Sequence, residues 1–244
     1  LEFRRVLFRS ESIDEGGGAI VETDRGDVHA DVVVVGGGYL GLTTALRLAE
    51  REAADSLGLT LFELMQRAGE AAFQLASGAY PASAHWLILC GHGNNGGDGY
   101  VVARLAQAAG RRVTLLAVES DSPLPEEAQA AREAWLNAGG VIHAATIPWP
   151  DDISLIIDGL LGTGLRSAPR DPVAALIHQA NHHPAPVVAL DIPSGLNAQT
   201  GATPGAVVQA DHTLTFIALK PGLLTGKARD VVGQDRKSTR LNSS

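Results

Sequence analysis

"HWLILCGHGNNGGDGYVVARLAQAAG", residues 85–110, opens as a buried strand, passes through five glycines within the nine residues 91–99, and resumes as a helix over 99–109. Glycines let backbone N–H groups come close to whatever lies above such a turn, and the N-terminus of the following helix favours a phosphate. Gly91, Gly93 and Gly96 stand in G-x-G-x-x-G spacing. That spacing alone equally fits a tight strand-to-helix turn. Asn94, Asn95 and Asp98 add a density of side-chain donors and acceptors that a turn does not need. They suit a polar ligand accompanied by a cation.

Outward from this stretch, apolar runs alternate with helix-period runs. On the N-terminal side, residues 51–80 read as one or two helices. Leu57, Leu61, Leu64, Met65, Ala68, Ala72 and Leu75 form a 3.6-period core stripe there. On the C-terminal side come strands in "RRVTLLAVE", "VIHAA", "SLIIDGLLG", "PVVALDIPSG" and "HTLTFIALK", with helices over 126–138 and 171–181 between them. The runs at 154–158 and 187–191 are almost wholly apolar, the pattern of strands covered on both faces. The expected fold class is therefore α/β, a three-layer Rossmann-like domain with a mostly parallel sheet and helices on both faces.

In such a sheet ligands bind beyond the carboxyl ends of the strands. Two further strand ends stand out. In "IIDGLLGTGLRSAP", Asp158 closes an apolar strand, Gly162-Thr163-Gly164 offers a close backbone approach, and Arg166 is available for a phosphate. Asp158 in that position is either a site carboxylate or a helix cap. In "VVALDIPSGLNAQTG", Asp191 follows an apolar run and Ile192, Pro193 and Ser194 make a rigid turn. A carboxylate there is either a partly desolvated proton-transfer group, its pKa raised by burial, or a satisfied structural aspartate. His92 lies inside the glycine loop, within reach of a ligand. His182 and His183 suit a helix C-terminus, and Cys90 ending a strand reads as a small buried hydrophobe.

The chain has 244 residues, 45% of them hydrophobic, enough for a sizeable core. A formal net charge of −8 gives no electrostatic footprint for nucleic acid or an acidic membrane. One cysteine closes no intramolecular disulfide and builds no thiolate zinc cluster, which fits a reducing cytoplasm. No run is long and apolar enough for a membrane span or a signal peptide.

The first fifty residues and the last ten read differently from the middle. Residues 1–10 and 235–244 resemble translated adaptor or cloning sequence and are set aside as non-native tails. Residues 11–48 carry an alternating hairpin-like stretch, then "DVVVVGGGYLGLTTALRLAE", with Gly36, Gly38 and Gly41 in dinucleotide-fingerprint spacing. This segment resembles the start of an FAD-dependent oxidoreductase, and Glu63 lies where a ribose-binding acid would fall. The sequence beyond it does not continue as a flavin domain. The expectation is a flavoprotein-like fragment joined near residues 48–52, with Glu63 a coincidence.

From residue 50 to 234 the motifs "LGLTLFELMQRAG", "CGHGNNGGDGYVVARLA", "DGLLGTGLRSAPR", "ALDIPSGLNAQTGATPGAV" and "ADHTLTFIALKPGLLTGKARD" follow in order. As a set they resemble the YjeF-type N-terminal domain of the NAD(P)H-hydrate epimerase family, above all the epimerase half of bacterial bifunctional enzymes. The resemblance implies epimerisation of NADHX or NADPHX at C6 of the hydrated nicotinamide ring. It implies substrate contacts from Asn94, Asn95, Gly96, Gly97 and Asp98, from Gly162, Thr163, Gly164, Leu165, Arg166, Ser167 and Ala168, and from Asp191, which is also the acid/base choice. It further implies a potassium ion held by Asn95, Asp158 and Ser194, a possible homodimer, and a dehydratase domain downstream that this sequence lacks. Lys220 is a second acid/base candidate, although a lysine at a strand end is commonly a solvated charge. The rival readings are an FAD oxidoreductase fragment and a non-catalytic YjeF-type scaffold.

Overall fold

The computed structural model describes residues 19–21, 32–34, 51–52, 54–217 and 220–233. Two short strands, β1 (Ala19–Val21) and β2 (Val32–Val34), pair antiparallel with Ile20 opposite Val33. The glycine fingerprint at Gly36, Gly38 and Gly41 and both tails lie outside the described residues.

Residues 54–57 are helical and end at Gly58, whose φ of 63° is the left-handed conformation of a helix stop. Leu59 N donates to Ala54 O across that stop. The chain re-enters helix as α1 (Leu61–Ala79), started by a reciprocal capping box between Thr60 and Glu63. Glu63 therefore has a structural task of its own, capping a helix.

Six strands then form one sheet: β3 (His85–Cys90), β4 (Arg112–Ala117), β5 (His143–Ala144), β6 (Leu155–Gly159), β7 (Val187–Leu190) and β8 (His212–Leu214). Their order is β5-β4-β3-β6-β7-β8 and every pairing is parallel. The three-layer Rossmann-like expectation holds, with a wholly parallel sheet in place of a mostly parallel one. β5 is only two residues long, and Val141, expected within it, lies outside the strand at 58% exposure.

All six residues of β3 are buried, and they alternate between two cores. Trp86, Ile88 and Cys90 face a cluster with Met65 and Ala72 of α1, Val102 and Ala106 of α2 (Asn94–Ala108), and Ala131 and Trp135 of α3 (Glu126–Asn137). Leu87 and Leu89 face Leu176, Ile177 and Ala180 of α4 (Val173–His182). Each fully buried Leu or Ile contributes about 1.5–3 kcal/mol, so this alternation is what seats the sheet between its helical layers. His85 opens β3 at the opposite end from its glycine loop, held 2.8 Å from both Asp152 Oδ1 and Thr114 Oγ1. Among the described residues no helix is long and apolar enough to cross a membrane.

One boundary differs from expectation in a way that shapes the site. α2 starts at Asn94, five residues before the expected 99, so Asn94 to Asp98 are helical. Two glycines in a helix cost roughly 0.5–1 kcal/mol each relative to alanine, which is why composition argued for a loop. Contact geometry accounts for them. A Cβ on Gly96 would stand 2.1 Å from Gly91 O, and one on Gly97 2.7 Å from Met65 Cε. The glycines let α2 lie directly on the end of β3 and under α1.

Candidate active site

Strand order reverses between β3 and β6, and a crevice opens beyond their carboxyl ends, where such sheets bind ligands. It is a cleft of about 1060 Å³. Asn94, Asn95, Asp98, the whole run 162–168 and Asp191 line it, so three segments singled out from sequence converge. Gly96 and Gly97 do not line it; their open faces are filled by Gly91 and Met65. Asp158 and Ser194 lie under the cleft, fully buried. His92 reaches the lining and bonds across to Ser122 O at 2.6 Å, joining the glycine loop to the loop after β4.

Beneath the floor, Asp158 organises a polar knot. Its Oδ1 accepts from the Ser194 hydroxyl at 2.6 Å and from Leu160 N at 3.2 Å, and its Oδ2 accepts from Ser194 N at 2.8 Å. Ser194 Oγ in turn accepts from Leu161 N at 2.8 Å. Asp158 is thus no helix cap; it ties the end of β6 to the turn after β7. Complete burial pushes its pKa up to about 6, against the hydrogen bonds from Ser194 and Leu160, which pull it down.

Asn95 enters the knot from α2, its Nδ2 donating to Leu161 O at 2.9 Å. A carbonyl can only accept, so this bond fixes the amide orientation and leaves Oδ1 as the other end. That Oδ1 is buried and has no hydrogen-bond partner among the described residues. Asn95 Nδ2 and Ser194 Oγ both lie within hydrogen-bond distance of Leu161 O, at 2.9 and 3.2 Å, so an orphaned amide oxygen, a buried carboxylate and a hydroxyl come together in one knot as an all-oxygen donor set carrying one negative charge. It fits a large monovalent cation better than a divalent one, which draws more carboxylates, or a soft transition metal, which draws Cys or His. Among the described residues no group of three or more His, Cys, Asp or Glu is placed to hold a metal.

Asp191 stands at the mouth of β7 with a backbone φ of 64°, unusual for a residue with a side chain. Asp191 N donates to Leu214 O at 2.7 Å and Ile192 N folds back to Leu190 O at 2.7 Å, which hold the turn. Its side chain is 16% exposed. Oδ1 accepts from Lys220 Nζ, from Phe216 N at 3.2 Å and from Thr215 Oγ1 at 3.4 Å. Oδ2 accepts no hydrogen bond among the described residues. The carboxylate is therefore anchored by one oxygen and open at the other.

Lys220 corrects the expectation of a solvated charge. β8 ends at Leu214, and Lys220 comes six residues later, 3% exposed, immediately before a 3₁₀ turn at Pro221–Leu223. Its ammonium reaches back to Asp191. Thr215 and Phe216, which complete this arrangement, were read in the sequence as continuing strand, and no local signal distinguishes them. The α1 stripe is also more than core. Leu61, Leu64, Met65 and Ala68 form an apolar wall of the cleft, while Leu57 at the head of the stripe is 45% exposed. Cys90 is buried as expected, its thiol pKa pushed up by desolvation.

A family profile described as "YjeF-related protein N-terminus" matches residues 61–222. The "Bifunctional NAD(P)H-hydrate repair enzyme Nnr" of Escherichia coli is 74% identical over 189 residues, covering 78% of this chain and 37% of that protein. The "Bifunctional NAD(P)H-hydrate repair enzyme" of Leishmania major is 52% identical, covering 80% of this chain and 36% of its own length. The chain thus spans little more than a third of these bifunctional relatives. The "NAD(P)H-hydrate epimerase" of Rhodopirellula baltica is 40% identical over 180 residues, with 69% of this chain and 72% of that protein covered. Among solved structures, that of the yeast protein "ynu0" shares the fold at a TM-score of 0.64 and 20% identity, over 74% of this chain and 80% of that one.

Proposed function

Because the chain belongs to the family of YjeF-related protein N-termini that includes NAD(P)H-hydrate epimerases, we propose that it interconverts the R and S forms of hydrated NADH or NADPH at C6 of the nicotinamide ring. One observation carries the reading: a carboxylate with one anchored and one open oxygen faces a cleft at the switch point of a Rossmann-like sheet. C6 of the hydrate bears both a hydroxyl and the ring nitrogen. In its protonated form the Asp191 carboxyl gives its Oδ2 proton to the hydroxyl and becomes the carboxylate, the nitrogen lone pair expels water, and a planar iminium forms. Water then adds to the opposite face and returns a proton to the carboxylate. The carboxylate also stabilises the positive charge that develops on the ring. Residues 162–168 and the α2 N-terminus hold the remainder of the dinucleotide, with Arg166 suited to a phosphate. The test is approach to epimeric equilibrium from one separated epimer, followed by chromatography. Protein-dependent acceleration supports the reading, and equal rates with and without protein refute it.

The same reading assigns potassium to Asn95, Asp158 and Ser194. Bound there, the ion would supply positive charge that ties together the segments after β3, β6 and β7, which is a positioning role. A buried carboxylate whose pKa is raised favours the folded state while protonated; that contribution is lost as pH rises through about 6. A cation pairing the anion offsets the loss. Potassium at ten times its dissociation constant should therefore raise Tm by about 3–6 °C over a bulky organic cation at equal ionic strength. The shift should be larger at pH 8 than at pH 5, and Asp158→Asn should abolish it. A wild-type protein indifferent to potassium, or an Asp158→Asn protein that keeps the shift, rules the assignment out. In the same family reading, the further length of the bifunctional relatives would hold the dehydratase half.

A further inference from the structure

We propose that Lys220 is the positioning residue of this site: its buried ammonium holds Asp191, a lining residue of the cleft, by Oδ1 and so leaves Oδ2 as the oxygen not engaged by the described residues. The inference rests on the reading of Asp191 as the proton-carrying group. A lysine is almost never this buried unless it is paired, and Lys220 is 3% exposed. Three acceptors surround Nζ: Asp191 Oδ1, Thr215 Oγ1 at 3.0 Å and Phe216 O at 2.8 Å. An ammonium has three N–H donors, so all are engaged and none remains for a substrate. Lys220 borders the same cleft, but with its N–H groups engaged it acts through Asp191 and not on the reacting atoms.

The backbone shows how the clamp is built. Asp191 comes from the end of β7, while Thr215, Phe216 and Lys220 come from the segment after β8. Phe216 N and Lys220 Nζ grip the same carboxylate oxygen, and Asp191 N is bonded to Leu214 O. The carboxylate is held from both its own backbone and the neighbouring segment. Among the described residues no other charged group pairs with either member. Rotation of the carboxyl group would exchange the two oxygens only by breaking these contacts.

In Lys220→Met the turnover should fall by about 10-fold or more while KM stays within about 3-fold, because the carboxylate loses its orientation and not its place in the cleft. Lys220→Arg, which keeps the charge and the donors, should hold turnover within about 3-fold of wild type. In an Asp191→Asn background, Lys220→Met should cost less than about 2-fold, because residues that act as one unit are not additive. Asp191→Asn/Lys220→Met leaves no unpaired buried charge, and with Lys220→Arg it carries the test should Lys220→Met alone fail to fold. The NMR signal of the Asp191 carboxyl carbon at one fixed pH should be displaced in Lys220→Met and stay in place in Lys220→Arg, without any substrate. Coupling seen by NMR in a protein that does not accelerate epimerisation would reject the epimerase reading and keep the clamp. Unchanged turnover with an unmoved carboxyl signal in Lys220→Met, or a full further loss in the Asp191→Asn background, overturns the proposal; the second result would make Lys220 a catalytic residue.

Discussion

Asp191→Asn is expected to lower the turnover of epimerisation by about 100-fold or more while substrate affinity stays within a few-fold. That rate loss corresponds to about 2.7 kcal/mol at the transition state. The substitution is almost isosteric, and asparagine is among the residues that best tolerate the left-handed backbone found here, φ 64°. An amide carbonyl can still accept from Lys220, Phe216 and Thr215, the three donors that hold Oδ1. What changes is the open atom, which becomes an NH₂ that cannot take up or return a proton. Steady-state rates with each epimer separate the outcomes. A fall in turnover with little change in KM supports proton transfer by Asp191. A raised KM at unchanged turnover would demote it to a binding residue.

The second large effect concerns stability. A Cβ on Gly91 would stand 1.7 Å from Leu160 O, a backbone atom with no room to move, at the seam where Gly91 N donates to Gly159 O. Gly91→Ala should destabilise the fold by about 3 kcal/mol or more, the upper range for forced overpacking. Gly93 supplies the control. It caps α2 in extended conformation, and a Cβ there meets nothing within 4 Å. Gly93→Ala should change stability by no more than about 1 kcal/mol. Chemical denaturation of both variants tests this, and a Gly91→Ala protein as stable as wild type would show that the β3–β6 seam is looser than described.

These contrasts show how far the sequence could be read. The sheet was legible because strands covered on both faces must be apolar, as Leu87 to Leu89 and Leu155 to Ile157 are. The strand-end carboxylates were legible because a charged residue interrupting such a run needs a reason. Their divergent roles were not: Asp158 is buried in a polar knot and Asp191 is paired with an ammonium, and each depends on a partner at least 29 residues away. The glycine run misled for a physical reason. Its composition opposes a helix, and only contact with Met65 and Gly91 explains why one forms. Lys220 was misplaced because the strand stops at Leu214, and no local pattern marks where an edge strand lets go.

The account stands on water leaving C6 and returning to the other face. Its most direct test is to incubate one separated epimer with the protein in ¹⁸O-labelled water and follow both the epimer ratio and the label at C6. The predicted result is a protein-accelerated approach to equilibrium in which each inverted molecule carries a solvent oxygen. Label-free inversion would contradict the bond that is proposed to break, and an epimer ratio that moves no faster than in the protein-free control would contradict the function itself.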